Sequence, residues 1–250
     1  MPSKNAFSIS VTADRLAFGN NLLFENIKFV LPAAEWTCIL GPSGVGKTTL
    51  LRLIANLVPN VENVNITCSD GISVDGRSSY MAQQDLLLPW VSVLDNVMLG
   101  AKLRSENANK SEAIELLTRV GLAKNIHDLP SKLSGGMRQR VALARTLMEN
   151  RPIVLMDEPF SSLDAISRVR MQDMAAELLE GHTVLLVTHD PMEALRLGDY
   201  IHVLSGRPVK LDAVRCPTGN RPRDLHNPDL LTGQADLLAQ LASADEFEGP

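Results

Sequence analysis

The chain has 250 residues, 45% of them hydrophobic and 21% charged, with a formal net charge of −5. That suits one large or two small globular domains with a sizeable core, and the acidic balance argues against a nucleic-acid partner. Cys38, Cys68 and Cys216 form no C-x-x-C pair and no cluster with histidine, which argues against a cysteine metal site or a disulfide framework.

Residues 1–16 hold no apolar stretch of the kind a secretory leader needs. The strongest apolar runs, such as VLLV at 184–187, fall far short of the about 20 residues of a spanning helix. Work at a membrane is therefore expected to go through a partner.

In chain order, residues 7–12 and 27–31 read as strands, and WTCIL at 36–40 as a buried strand. Cys38 and Cys68 are expected to be small buried residues. Next comes GPSGVGKTTL at 41–50, in which Gly41, Gly46, Lys47 and Thr48 satisfy G-x-x-x-x-G-K-[ST]. Between a strand and a helix, the successive N–H groups of Gly41, Pro42, Ser43, Gly44, Val45 and Gly46 (proline's apart) form a nest for phosphate oxygens. The helix N-terminus at Lys47, Thr48 and Thr49 adds unsatisfied donors and a favourable dipole. Lys47 can reach the β- and γ-phosphates, and the Thr48 hydroxyl can ligate Mg²⁺. The helical spacing of TTLLRLIANLV is expected to run until Pro59.

Residues 60–80 read as short strands with D-G turns, and 91–127 as helices broken at 104–112, with Ser111 as an expected N-cap. LSGGMRQR at 133–140 is a second glycine-rich entry to a helix. Ser134 can cap that helix, while Gly135 and Gly136 leave its N-terminus open to an anion. A second anion site makes sense if it serves a nucleotide held by another copy of the chain. IVLM at 153–156, TVLLV at 183–187 and YIHVL at 200–204 read as core strands. The first ends in Asp157 and Glu158, placing Asp157 to hold Mg²⁺ through water and Glu158 as general base or positioner of an attacking water. His189, at the end of the second, is expected to bond a γ-phosphate or that water. Residues 206–228 read as a Pro- and Arg-rich linker. Asn227 and Pro228 open a last amphipathic helix with Leu230, Leu231, Leu237, Leu238 and Leu241 as its apolar residues.

These motifs, with SSLD at 161–164, stand in the order of the ATP-binding-cassette (ABC) ATPases, which the chain resembles over about residues 7–205. The resemblance implies an α/β P-loop NTPase core with an antiparallel β subdomain and an inserted helical subdomain at about 84–150. Residues 1–205 would form the ATPase domain and 206–250 a short C-terminal extension. It implies ATP with Mg²⁺, held head to tail between two copies, the phosphate loop of one facing Ser134, Gly135, Gly136 and Met137 of the other. Asp164 would link the two sites, Phe18 would stack on adenine, and Gln83, seven residues before Trp90, would approach Mg²⁺ and water. YMAQQDLLLPW together with MDEPFSSLDA is similar to bacterial nitrate/sulfonate/taurine-type importers, whose relatives import pyrimidine thiamine precursors. That implies a peripheral subunit on the cytoplasmic face of the inner membrane. It would drive a separate permease, meeting Leu87, Leu88, Pro89 and Trp90, and through it serve a periplasmic solute-binding protein. A soluble or exporter-type ABC ATPase stays open. A GTPase is disfavoured because the nearest guanine motif, NKSE at 109–112, ends in Glu.

Overall fold

The computed structural model describes residues 6–18, 21–58, 63–206 and 208–245. Two sheets organise the chain. β1 (Ile9–Phe18), β2 (Asn21–Leu31) and β4 (Val64–Cys68) form an antiparallel sheet in the order β2-β1-β4. The larger sheet has the order β5-β6-β7-β3-β8-β9, from β3 (Trp36–Leu40), β5 (Ser78–Met81), β6 (Ile153–Asp157), β7 (Thr183–Thr188), β8 (Tyr200–Ser205) and β9 (Lys210–Leu211). Its neighbours pair in parallel except β8 and β9.

The core strands are mostly apolar on both faces because both faces of a parallel sheet are covered. Alternation then sorts them. Trp36, Cys38, Leu40, Val154, Met156, Val184 and Leu186 face the helical layer of α4 (Lys110–Arg119), α5 (Gly135–Met148), α6 (Ala165–Leu178) and α7 (Pro191–Leu197). Ile39, Ile153, Leu155, Leu185 and Val187 face α1 (Lys47–Ile54) and the antiparallel sheet. The short α2 (Val93–Val97) and α3 (Leu99–Leu103) complete a helical stretch between β5 and β6. Because β6, β7 and β3 are adjacent, the loops at their carboxyl ends open side by side. Crevices outside strand carboxyl ends are where such sheets bind ligands.

Several expectations need correction. α1 stops at Ile54, where Asn56 takes a left-handed φ of 55°; Leu57 is exposed, and Pro59 lies outside the described residues. The α4 cap is Asn109, whose side chain accepts from Glu112 N at 3.2 Å, and Ser111 sits inside the helix. Cys38 is buried, but Cys68 is only half-buried.

Residues 206–228 are anchored more firmly than a linker. β9 joins the sheet, and the buried Arg223 donates to the carbonyls of Leu195, Gly198, Pro217 and Thr218 at 2.8–3.0 Å. The last helix, α8 (Pro228–Asp245), buries Leu230 and Leu237 but leaves Leu231 and Leu238 exposed, since its inward stripe recurs every seven residues. Among the described residues, no helix is long and apolar enough to cross a membrane.

Candidate active site

β3 delivers the chain to residues 41–46, and Gly46 ends this loop in a left-handed conformation at φ 108°. A Cβ on Gly46 would also come within 3.0 Å of the Phe24 ring, so two constraints demand glycine there. α1 then starts at Lys47, with no side-chain cap on its first N–H groups. Ser43, Gly44, Gly46, Lys47, Thr48, Thr49, Gln83 and Glu158 line a cleft of about 420 Å³.

Lys47 is 4% exposed, and its ammonium donates to the Gly41 and Pro42 carbonyls at 2.8 Å each and stands 3.5 Å from Glu158 Oε1. Burial pulls its pKa below the usual lysine value, while Glu158 and Asp157 act in the opposite direction. Across the cleft, the Thr48 hydroxyl donates to Asp157 Oδ1 at 2.9 Å, and the Tyr80 hydroxyl to Asp157 Oδ2 at 3.0 Å.

Glu158 follows β6 with a left-handed φ of 45°, while its N–H donates to Val187 O at 2.9 Å. Non-glycine residues hold that conformation at a cost, which surrounding contacts must offset. The twist turns its carboxylate into the cleft. Oε2 receives Gln83 Nε2 at 3.3 Å and lies 3.0 Å from His189 Nδ1. A carboxylate only accepts, so the pairing places a proton on Nδ1. Lys47, Gln83 and His189, which follow β3, β5 and β7, thus converge on Glu158 after β6, as the order β5-β6-β7-β3 allows.

Ser134 caps α5, accepting from Met137 N at 3.3 Å, and Gly135 and Gly136 form its first turn. Asp164 caps α6, accepting from Ser167 N at 3.0 Å. Phe18 ends β1, but its side chain lies outside the described residues.

Sequence reasoning missed a set of supporting residues. Gln139 Nε2 donates to Gln83 O at 3.0 Å, Arg138 pairs with Asp85, and Arg145 donates to the Asp85 and Leu86 carbonyls. α5 therefore grips the segment that carries Gln83. Ser161 and Tyr80 were missed as well. Tyr80 had a signal only in strand register: it pairs with Leu155, so it shares a sheet face with Asp157 two residues on.

The described residues hold no cluster of three or more His, Cys, Asp or Glu able to cage a metal. The hydroxyl of Thr48 and the carboxylate of Asp157 are hard oxygen donors beside a phosphate loop. That donor set fits Mg²⁺, which takes one or two protein oxygens together with substrate phosphates.

The ABC transporter family pattern matches residues 24–161. An uncharacterized ABC transporter ATP-binding protein of Haemophilus influenzae is 47% identical over 90% of this chain and 95% of its own length. An aliphatic sulfonates import ATP-binding protein of Rhodococcus jostii is 42% identical over 98% of each chain. Among solved structures, the bacterial ABC transporter cassette MJ0796, a dimer, superposes with a TM-score of 0.71 at 27% identity, covering 85% of this chain and 100% of that one. The same cassette in a post-hydrolysis state with ADP and Pi gives a TM-score of 0.70.

Proposed function

The chain belongs to the ABC transporter family, and on that premise we propose that it is the ATP-hydrolysing subunit of a bacterial ABC importer. The observation that carries this reading is Glu158, turned by its backbone into the phosphate-loop cleft and held there by Lys47, Gln83 and His189.

ATP places its β- and γ-phosphates on the N–H groups of residues 41–49, with Lys47 against their charge. Thr48, Asp157 and Gln83 would hold Mg²⁺, which would supply neutralisation of the charge that develops on the phosphates. The Glu158 carboxylate orients a water in line with the γ-phosphorus and takes its proton. The water oxygen bonds to phosphorus as the bond to the β–γ bridging oxygen breaks, its electron pair leaving on ADP. Gln83 and His189 fix the rotamer of Glu158.

The likeness to a dimeric cassette supports pairing of two copies, and in this reading they close head to tail. The uncovered helix end at Ser134, Gly135, Gly136 and Met137 then meets the partner's nucleotide, Asp164 lies between the sites, and Phe18 stacks on adenine. Leu86 and Trp90, 59% and 72% exposed beside the buried Leu87, form an apolar step suited to a permease helix. This role places the chain on the cytoplasmic side of the inner membrane. The names of the Rhodococcus jostii relative and its like favour an aliphatic sulfonate among sulfonate, nitrate and pyrimidine cargoes. The permease and a periplasmic binding protein select that cargo.

The test is nucleotide affinity of Lys47→Ala. Loss of a buried cation facing phosphate is expected to weaken ATP binding about tenfold or more. Full affinity in that variant overturns the cradle.

A further inference from the structure

The phenol of Tyr80 has no part in the reading above, yet it touches the carboxylate on which that reading depends. Asp157 has two oxygens and each is taken. Oδ1 accepts from Thr48 at 2.9 Å on the cleft side, and Oδ2 accepts from Tyr80 at 3.0 Å. The Arg52 charge also acts on the same phenol. Thr48 and Arg52 are four residues apart on α1 and so share a helix face. α1 therefore reaches Asp157 directly through Thr48 and turns the Arg52 charge toward Tyr80.

A carboxylate rotates about its last torsion with little resistance. With one oxygen held, the other is fixed in direction. We propose that Tyr80 is a positioning residue for Asp157, holding Oδ2 so that Oδ1 stays turned to the Thr48 hydroxyl and to the cation of the bound nucleotide. This rests on Thr48 and Asp157 being the cation-holding pair. A ring without the hydroxyl fills the same half-buried space between β5 and α1, so the hydrogen bond separates cleanly from packing.

The test compares the affinity of the full chain for the non-hydrolysable nucleotide AMP-PNP in EDTA and in Mg²⁺, read by displacement of a fluorescent nucleotide. The ratio of the two dissociation constants reports what the metal contributes. Groups that orient metal ligands are worth about 10–100-fold in metal affinity. Tyr80→Phe is therefore expected to lower the ratio about tenfold, with the EDTA value and the thermal midpoint held near wild type. An unchanged ratio, or both constants weakening together as packing damage would cause, overturns the proposal. Asp157→Asn in parallel separates the levels: if it too leaves the ratio unchanged, the assignment of the cation-holding pair fails, and not Tyr80 alone.

Discussion

At the scale of single residues, the site is a carboxylate placed with its contacts already made. Glu158 occupies a left-handed conformation that costs on the order of 1–3 kcal/mol, and contacts from Lys47, Gln83 and His189 hold it there. Glutamine at 158 keeps the size and one carbonyl but cannot take a proton. Glu158→Gln is thus expected to bind ATP with near-normal affinity while turnover falls about 100-fold or more, read by phosphate release under saturating ATP. Turnover at the wild-type rate contradicts the assignment. The identities of Lys47, Thr48, Asp157 and Glu158 were legible because each lies inside a short motif whose spacing follows from strand and helix geometry. Tyr80, Gln139 and Ser161 were not, because their roles arise only when separate strands and helices meet. The left-handed turn at Glu158 was invisible too, since glutamate has no preference for it.

Among the elements, α7 shows what the sequence concealed. Glu193 lies on its first turn, buried, with Oε1 free of hydrogen bonds, directly after the segment bearing His189. Burial, reinforced by the charge of Asp190, pushes its carboxyl from 4.5 up to about 8, with Glu158 acting the same way and Thr188 and Arg168 in opposition. The folded chain keeps this proton to about pH 8, whereas the unfolded chain releases it near 4.5. Between those values the folded state binds more protons, so this group's effect is a stability that declines as pH rises through the window. Glu193→Gln removes the titration. Urea unfolding across pH 5–9 is expected to show a flatter profile and a variant more stable than wild type above pH 8. A profile of unchanged slope counts against a buried neutral carboxyl. Strand positions were readable from apolar runs, while element ends were not. α1 terminates at a left-handed asparagine rather than at the proline, and the C-terminal stretch gains its order from Arg223, whose partners are backbone carbonyls that no side-chain pattern reveals.

For the whole molecule, the decisive feature is that the glycine-rich entry to α5 lies at a different loop from the cleft holding Lys47 and Glu158. α5 also grips the Gln83 segment through Gln139, Arg138 and Arg145, so a ligand on its N-terminus can be felt at Glu158. The layered core and the order β6-β7-β3 bring the phosphate loop, the carboxylates and His189 together within one chain. In the proposed reading a second chain brings Gly136 to the nucleotide. The sequence disclosed both halves as motifs, and the expectation of a partner came from two candidate anion sites in one chain, the second of which makes sense if it serves another copy's nucleotide. The most direct measurement is the ATP hydrolysis rate per chain as protein concentration is varied, with sedimentation recorded on the same samples. The account predicts a per-chain rate that climbs with concentration as an ATP-dependent dimer forms, and that stays near zero for Gly136→Asp. A constant rate down to concentrations at which only monomer sediments contradicts it.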